Sequence, residues 1–214
     1  MKEKYHVDEL GIVHQSNFEK FDYDKKYIQK YFDYGEKENH LSYLRLGFLL
    51  ACLNEKPKSI LDIGYGSGSF LKACTNYIPN CYGHDITGVP VPDKVTFVED
   101  IYKDEYDIIT FFDVLEHFED VHIIGKLKCN YIMITLPWCY NFENKNWFEN
   151  WKHRKPNEHL HHFNHQSLVN LFEKHKFQCI KYGNIEDTIR KDSNNPDKNI
   201  LTAVFKKDKW SYWL

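Results

Sequence analysis

The chain has 214 residues, 42% of them apolar, and a formal net charge of −3 from 28 Lys and Arg against 31 Asp and Glu. That length fits one domain with an added cover, leaves little room for two enzyme domains, and can bury roughly 70% of its unfolded surface. The charge balance argues against a protein that coats nucleic acid, and no apolar run reaches the roughly 18 residues of a membrane span.

The opening MKEKYHVDEL lacks the apolar core of a secretory signal, so a cytoplasmic location is expected. Six scattered cysteines form no CxxC pair, which argues for buried reduced thiols rather than a zinc knuckle or a disulfide framework.

Residues 1–40 are polar and aromatic, with Tyr23, Tyr27, Tyr31 and Tyr34 in a short helical stripe. They read as an N-terminal cap packed on the body or as a lid over a ligand. Residues 41–53 read as a helix with a broad apolar face, stopped by the NEKP that follows. Ser59–Ile63 is a short apolar strand opening into glycines, and residues 69–77 resume as a helix. Further strands are expected at 81–85, 95–98, 106–112 and 131–136, with helical sequence from Val114. Residues 138–165, with three tryptophans, a basic run and five histidines, break this rhythm as an insertion after the fifth strand. A helix over 166–175 and strands at 177–182 and 200–205 complete the chain. The alternation predicts a doubly wound, mostly parallel seven-stranded sheet with helices on both faces and a terminal antiparallel hairpin. The domain reading is a cap or lid over 1–40 and a single domain over 41–214.

The informative unit is Leu61-Asp62-Ile63-Gly64-Tyr65-Gly66-Ser67-Gly68. Glycines let the backbone turn sharply and approach a ligand where a Cβ would collide. The helix that follows points unpaired N–H groups at the same space. Asp62 at the strand end suits a ligand amine, and no Gly-Lys-Ser/Thr makes this a phosphate loop. Asp85 lies 23 residues further on, where a carboxylate reaches a ribose, or else caps a helix. Asp100 with Ile101 could receive an adenine, or Asp100 could cap a loop.

These residues, together with Val98-Glu99-Asp100, Tyr106-Asp107-Ile108-Ile109 and Asp113-Val114-Leu115-Glu116-His117, resemble the class I methyltransferases that use S-adenosylmethionine. The last pattern resembles their small-molecule branch, which includes ubiquinone-biosynthesis-type O-methyltransferases. The likeness spans roughly residues 58–137 well and 157–205 loosely. A Pro-Gly-Gly-like turn usual before strand five is replaced here by Lys126-Leu127-Lys128-Cys129-Asn130. The resemblance implies that Gly64, Gly66 and Gly68 admit the amino-acid end of the cofactor and Asp62 supports its amine. It also implies Asp85 on the ribose hydroxyls, Asp100 and Ile101 on adenine, and Phe112 and Asp113 near the sulfonium. S-adenosylhomocysteine would be the product.

On the acceptor side, His117 reads as a base or acceptor contact, or as a packing residue that orients its loop. Glu116 would position a substrate or a metal, or interact with a helix dipole. Arg154 offers a fork to an anionic acceptor, or belongs to a solvated basic turn. His159 and His161 would contact acceptor hydroxyls or fix the backbone, and Tyr27, Tyr31 and Trp138 would line the acceptor pocket. The histidine spacing matches no closed zinc pattern, so no metal is assigned. The leading reading is methyl transfer to oxygen on a soluble small molecule by direct displacement. The alternatives are a nucleic-acid or nucleotide methyltransferase and a cofactor-binding partner protein without turnover. Stable nucleic-acid binding is not expected, a nucleotide acceptor stays open, and monomer and homodimer are not separated.

Overall fold

The computed structural model describes residues 4–22, 35–190 and 198–208. The tyrosine stripe, including Tyr27 and Tyr31, lies outside the described residues. The first described elements are two short strands, β1 (Tyr5–Val7) and β2 (Val13–Gln15), which pair antiparallel. Helix α1 (Glu36–Cys52) follows, five residues longer at its start than its apolar run suggested. Then come β3 (Ser59–Ile63), α2 (Ser69–Cys74), β4 (Asn80–His84), β5 (Val95–Phe97), β6 (Tyr106–Phe112) and β7 (Cys129–Pro137). The last third holds α3 (Lys145–Asn150), β8 (His161–His162), α4 (His165–Lys174), β9 (Phe177–Gly183), α5 (Asp187–Arg190) and β10 (Ile200–Lys207).

The main sheet has seven strands in the order β5-β4-β3-β6-β7-β10-β9. Only β10 runs against its neighbours, pairing antiparallel with both β7 and β9. Each central strand buries both faces by alternation. Ile60, Ile108, Met133 and Val204 face Leu46 and Leu49 of α1 and Phe70 and Leu71 of α2. Leu61, Ile109, Ile132 and Phe205 face Leu168, Leu171 and Phe172 of α4. Helix α4 is fixed at its start by a reciprocal cap, in which Asn164 accepts from the Ser167 amide and Ser167 Oγ accepts from the Asn164 amide.

One expectation needs correction. The segment after β6 is not α-helical: it forms two 3-10 turns, Leu115–His117 and Val121–Lys126, pinned to the core by buried Leu115, Val121 and Ile124. The start of the chain also holds strands: β2 pairs with β8 to make a second sheet of order β1-β2-β8. Residues 4–22 and residues 138–165 therefore sit side by side. Val13, Cys139 and Phe148 form their shared core, with Tyr5, Phe142, Trp147 and Trp151 against it. The cysteines are all free, and burial pushes the Cys129 and Cys139 thiols up to about 12, which keeps them inert.

Candidate active site

Strands β3 and β6 lie next to each other and parallel, with Asp62 in register with Thr110. Both side chains therefore project from the same face, and Thr110 Oγ1 donates to Asp62 Oδ1 at 2.6 Å. Asp62 is 1% exposed. Burial pushes its carboxyl up to about 7, the Thr110 hydrogen bond and Arg45 pull it down, and Asp85 adds to the rise.

The glycine loop leaves β3 with φ of 74° at Gly64, 55° at Gly66 and 78° at Gly68. Its glycines serve packing as well as access. A Cβ on Gly64 would stand 2.4 Å from Val114 Cγ2, and one on Gly68 2.5 Å from Pro92 Cγ. The Gly66 amide donates to Asp85 Oδ2 at 2.9 Å, while Oδ1 of Asp85 accepts from the Thr87 amide and hydroxyl. Asp85 thus fastens the loop, and Ile86 beside it stands 74% exposed as an apolar face that the sequence reading passed over. Tyr65 is buried against Gly83, and its hydroxyl donates to the Val89 carbonyl. Asp100 Oδ1 accepts from the Tyr102 amide, a loop-capping contact, and Ile101 is buried in the main core.

A cleft enclosing about 100 Å³ opens beside this loop, and Asp62, Phe112 and Asp113 line it together with Arg45 and Arg190. Arg45 projects from α1 over the Phe112 ring, 4.2 Å from its centre. It also grips Glu186 bidentately, Nε to Oε1 at 2.6 Å and Nη2 to Oε2 at 3.1 Å. Arg190 Nη1 donates to Asp113 Oδ2 at 2.7 Å and to Glu186 Oε2 at 2.8 Å. Burial raises the Asp113 carboxyl, but Arg190 and Arg45 outweigh it and hold the group below its ordinary value. Asp113 itself takes φ of 56°, an unusual conformation for a residue with a side chain, held by the hydrogen bond its N–H donates to the Thr135 carbonyl. Arg45, Glu186 and Arg190 were missed from sequence. The one available signal was a lone arginine inside the apolar run LSYLRLGFLL.

Just past Asp113, Glu116 is 1% exposed and neither carboxylate oxygen has a hydrogen-bond partner. Burial, then the charge of Asp113, drives its carboxyl well above the ordinary range. Its backbone carbonyl accepts from the Leu160 amide at 2.8 Å, which brings His159 alongside. The rings of His117 and His159 meet edge to face, 4.8 Å between centres. Burial lowers both imidazoles, His159 the further because His117 faces it.

The other residues expected on the acceptor side lie apart from this pair. His161 uses both ring nitrogens at the β2–β8 junction, Nδ1 with His14 Nδ1 at 2.7 Å and Nε2 with the Phe118 carbonyl at 2.7 Å. Arg154 lies over the Tyr5 and Phe148 rings. Trp138 is buried, with Lys198 Nζ 4.5 Å from its ring centre. A second cleft of about 470 Å³ is lined by Trp147, Trp151, Lys152, Lys198 and several asparagines. Its two indoles are stacked, 5.2 Å apart.

A family model described as a methyltransferase domain matches residues 36–182. The chain belongs to that family, within the class I S-adenosylmethionine-dependent methyltransferases, and is an enzyme of that class. Solved structures show the same fold at low identity. A chain of the Haloferax volcanii complex between a methyltransferase activator and a candidate methyltransferase superposes with a TM-score of 0.59 at 15% identity, covering 85% of this chain and 97% of that one. Magnesium protoporphyrin IX methyltransferase from Synechocystis, solved with bound S-adenosylhomocysteine, gives 0.56 at 15% identity, with 88% and 90% covered. The [4+2]-cyclase SpnF gives 0.58 at 12% identity, with 79% and 80% covered. These likenesses carry the fold and single out no branch or substrate. No curated protein matches the sequence. Among the described residues, no helix is long and apolar enough to cross a membrane.

Proposed function

We propose that this protein transfers a methyl group from S-adenosylmethionine to an oxygen of a small molecule, as in the small-molecule branch that includes the ubiquinone-biosynthesis-type enzymes. The observation that carries the reading is the convergence of buried Asp62, the glycine loop, Arg45 and Arg190 on one cleft at the ends of β3 and β6. That set offers a carboxylate for an ammonium group and guanidinium donors for a carboxylate, the two charges of an amino acid. Gly64, Gly66 and Gly68 let the loop approach it, and Phe112 and Asp113 face the sulfonium end. Asp85 and Ile86 meet the ribose, with Asp100 and Ile101 on the adenine side. When bound, S-adenosylmethionine supplies an electrophilic methyl carbon. The chain's own contribution is to align the acceptor oxygen with that carbon and to exclude water. Glu116 and His117 activate the acceptor, and His159, His161, Trp138 and Arg154 shape the acceptor side.

A nucleotide acceptor is a second reading, favoured by the stacked Trp147 and Trp151 beside Lys152 and Lys198, which suit a flat anionic ligand. Titration calorimetry with S-adenosylmethionine, S-adenosylhomocysteine and NAD tests the cofactor. One-to-one binding of both sulfur compounds is expected, and NAD binding without them would overturn the reading. Labelled methyl transfer into a metabolite pool, read by mass spectrometry, then identifies the acceptor.

A further inference from the structure

Glu116, His117 and His159 each present one donor atom, and these atoms lie within 4.8 Å of one another. We infer that they form a binding site for one divalent transition-metal cation, whose open side takes the acceptor hydroxyl. The inference rests on the proposed oxygen-directed reading for the role of the ion, and on geometry alone for its presence.

Three observations support the site. First, a buried carboxylate with both oxygens unpartnered is costly, and a cation removes that cost. Second, His159 is oriented as a ligand is: its Nδ1 bonds the His153 carbonyl at 2.8 Å, which leaves Nε2 to carry the lone pair. His117 Nε2 stands 4.0 Å from Glu116 Oε1. Third, the spacing suits one ion. Donors about 2.1 Å from a common ion stand roughly 3–4 Å apart, so side-chain rotations of under about 1 Å close this cluster.

Two imidazoles and one carboxylate fill three positions and favour zinc, manganese or iron(II) over magnesium. The Glu158 carboxylate, 3.8 Å from His159 Nε2 and bound to Lys155, sits at the rim. The chemical consequence is direct. A hydroxyl on the open side of the ion loses its proton to water more readily. An oxygen lone pair then forms the bond to the methyl carbon, the carbon–sulfur bond breaks, and its electron pair returns to sulfur. One proton, the methylated acceptor and neutral S-adenosylhomocysteine result.

The test titrates Mn²⁺ and Co²⁺ into chelator-treated full-length protein, following Mn²⁺ by electron paramagnetic resonance and Co²⁺ by its visible absorption. One ion per chain is expected, with imidazole nitrogen coupling in the pulsed spectrum of bound Mn²⁺. Glu116→Gln and His159→Asn should each weaken binding at least about tenfold while S-adenosylhomocysteine still binds. His122→Asn, at a separate histidine pair, should leave ion affinity unchanged. If either site variant fails to fold, the nitrogen coupling in the unaltered protein decides. Failure of that protein to bind either ion below millimolar concentration, or unchanged affinity in folded site variants, overturns the site. Ion binding without S-adenosylhomocysteine binding would uphold the site and overturn the cofactor reading instead.

Discussion

Asp62 is the buried side chain through which the proposed ligand site and the fold are coupled most directly. Its carboxyl titrates at about 7 because burial disfavours the charged form. The folded protein therefore holds a proton that the unfolded chain releases near the ordinary aspartate value of 3.8. Stability contributed by this group is full below that value and lost as pH rises through about 7. A ligand ammonium reverses the preference, since it attracts the ionised form. Affinity for S-adenosylhomocysteine should rise about tenfold between pH 6 and 8 and then level off, because only the ionised fraction is competent. Calorimetry across that range checks it: a flat profile in the unaltered protein would exclude Asp62 from the amine site, and Asp62→Asn should bind weakly with no such slope. Asp62 and its glycines were legible in the sequence because they are contiguous and obey a local rule. Arg190 and Glu186 were not, because their meeting with Arg45 and Asp113 joins segments more than 70 residues apart, and polar residues in a polar stretch carry no periodic signal.

The strands of the main sheet were read correctly to within a residue or two at β3, β6, β9 and β10, since each is a short apolar run bounded by turn residues. The second sheet was not, because β1, β2 and β8 are two or three residues long and rich in histidine. Their stability comes from contacts no local pattern announces. His161 is the fastener: it ties β8 to His14 on β2 and to the carbonyl of Phe118 at the end of the 3-10 turn. His161→Ala removes both hydrogen bonds and leaves the Phe118 carbonyl unpaired, a cost of about 1–3 kcal/mol. The melting temperature should fall by roughly 3–8 °C, with cofactor affinity nearly unchanged because the glycine loop lies on other elements. Circular dichroism melts and a parallel ligand titration separate the two effects. An unaltered melt would show that the β2–β8 junction carries little of the fold, whereas a large loss of cofactor affinity would tie the second sheet to the cleft.

At the scale of the molecule, the cleft is where the chain's distant parts are joined. Helix α1 supplies Arg45, β3 supplies Asp62, β6 leads into Asp113, and α5, beyond β9, supplies Arg190. The buried alternation of Arg45, Glu186, Arg190 and Asp113 binds these segments before any ligand arrives. A ligand that touches all of them must therefore stabilise the whole fold rather than one loop. At a concentration of one hundred times its dissociation constant, S-adenosylhomocysteine should add about 2.7 kcal/mol. For a chain of this size that is a rise of roughly 5–10 °C in melting temperature. Arg190→Ala leaves Glu186 and Asp113 each short of a cation in a buried setting, so the unliganded variant should lose about 3–5 kcal/mol. Part of that loss should return on ligand binding, because Arg45 still reaches both carboxylates. Scanning calorimetry of both proteins with and without ligand measures all four states. A ligand-induced shift below about 1 °C under saturating conditions would mean that binding leaves these segments uncoupled, and the cleft at the ends of β3 and β6 would then lose its claim to the cofactor.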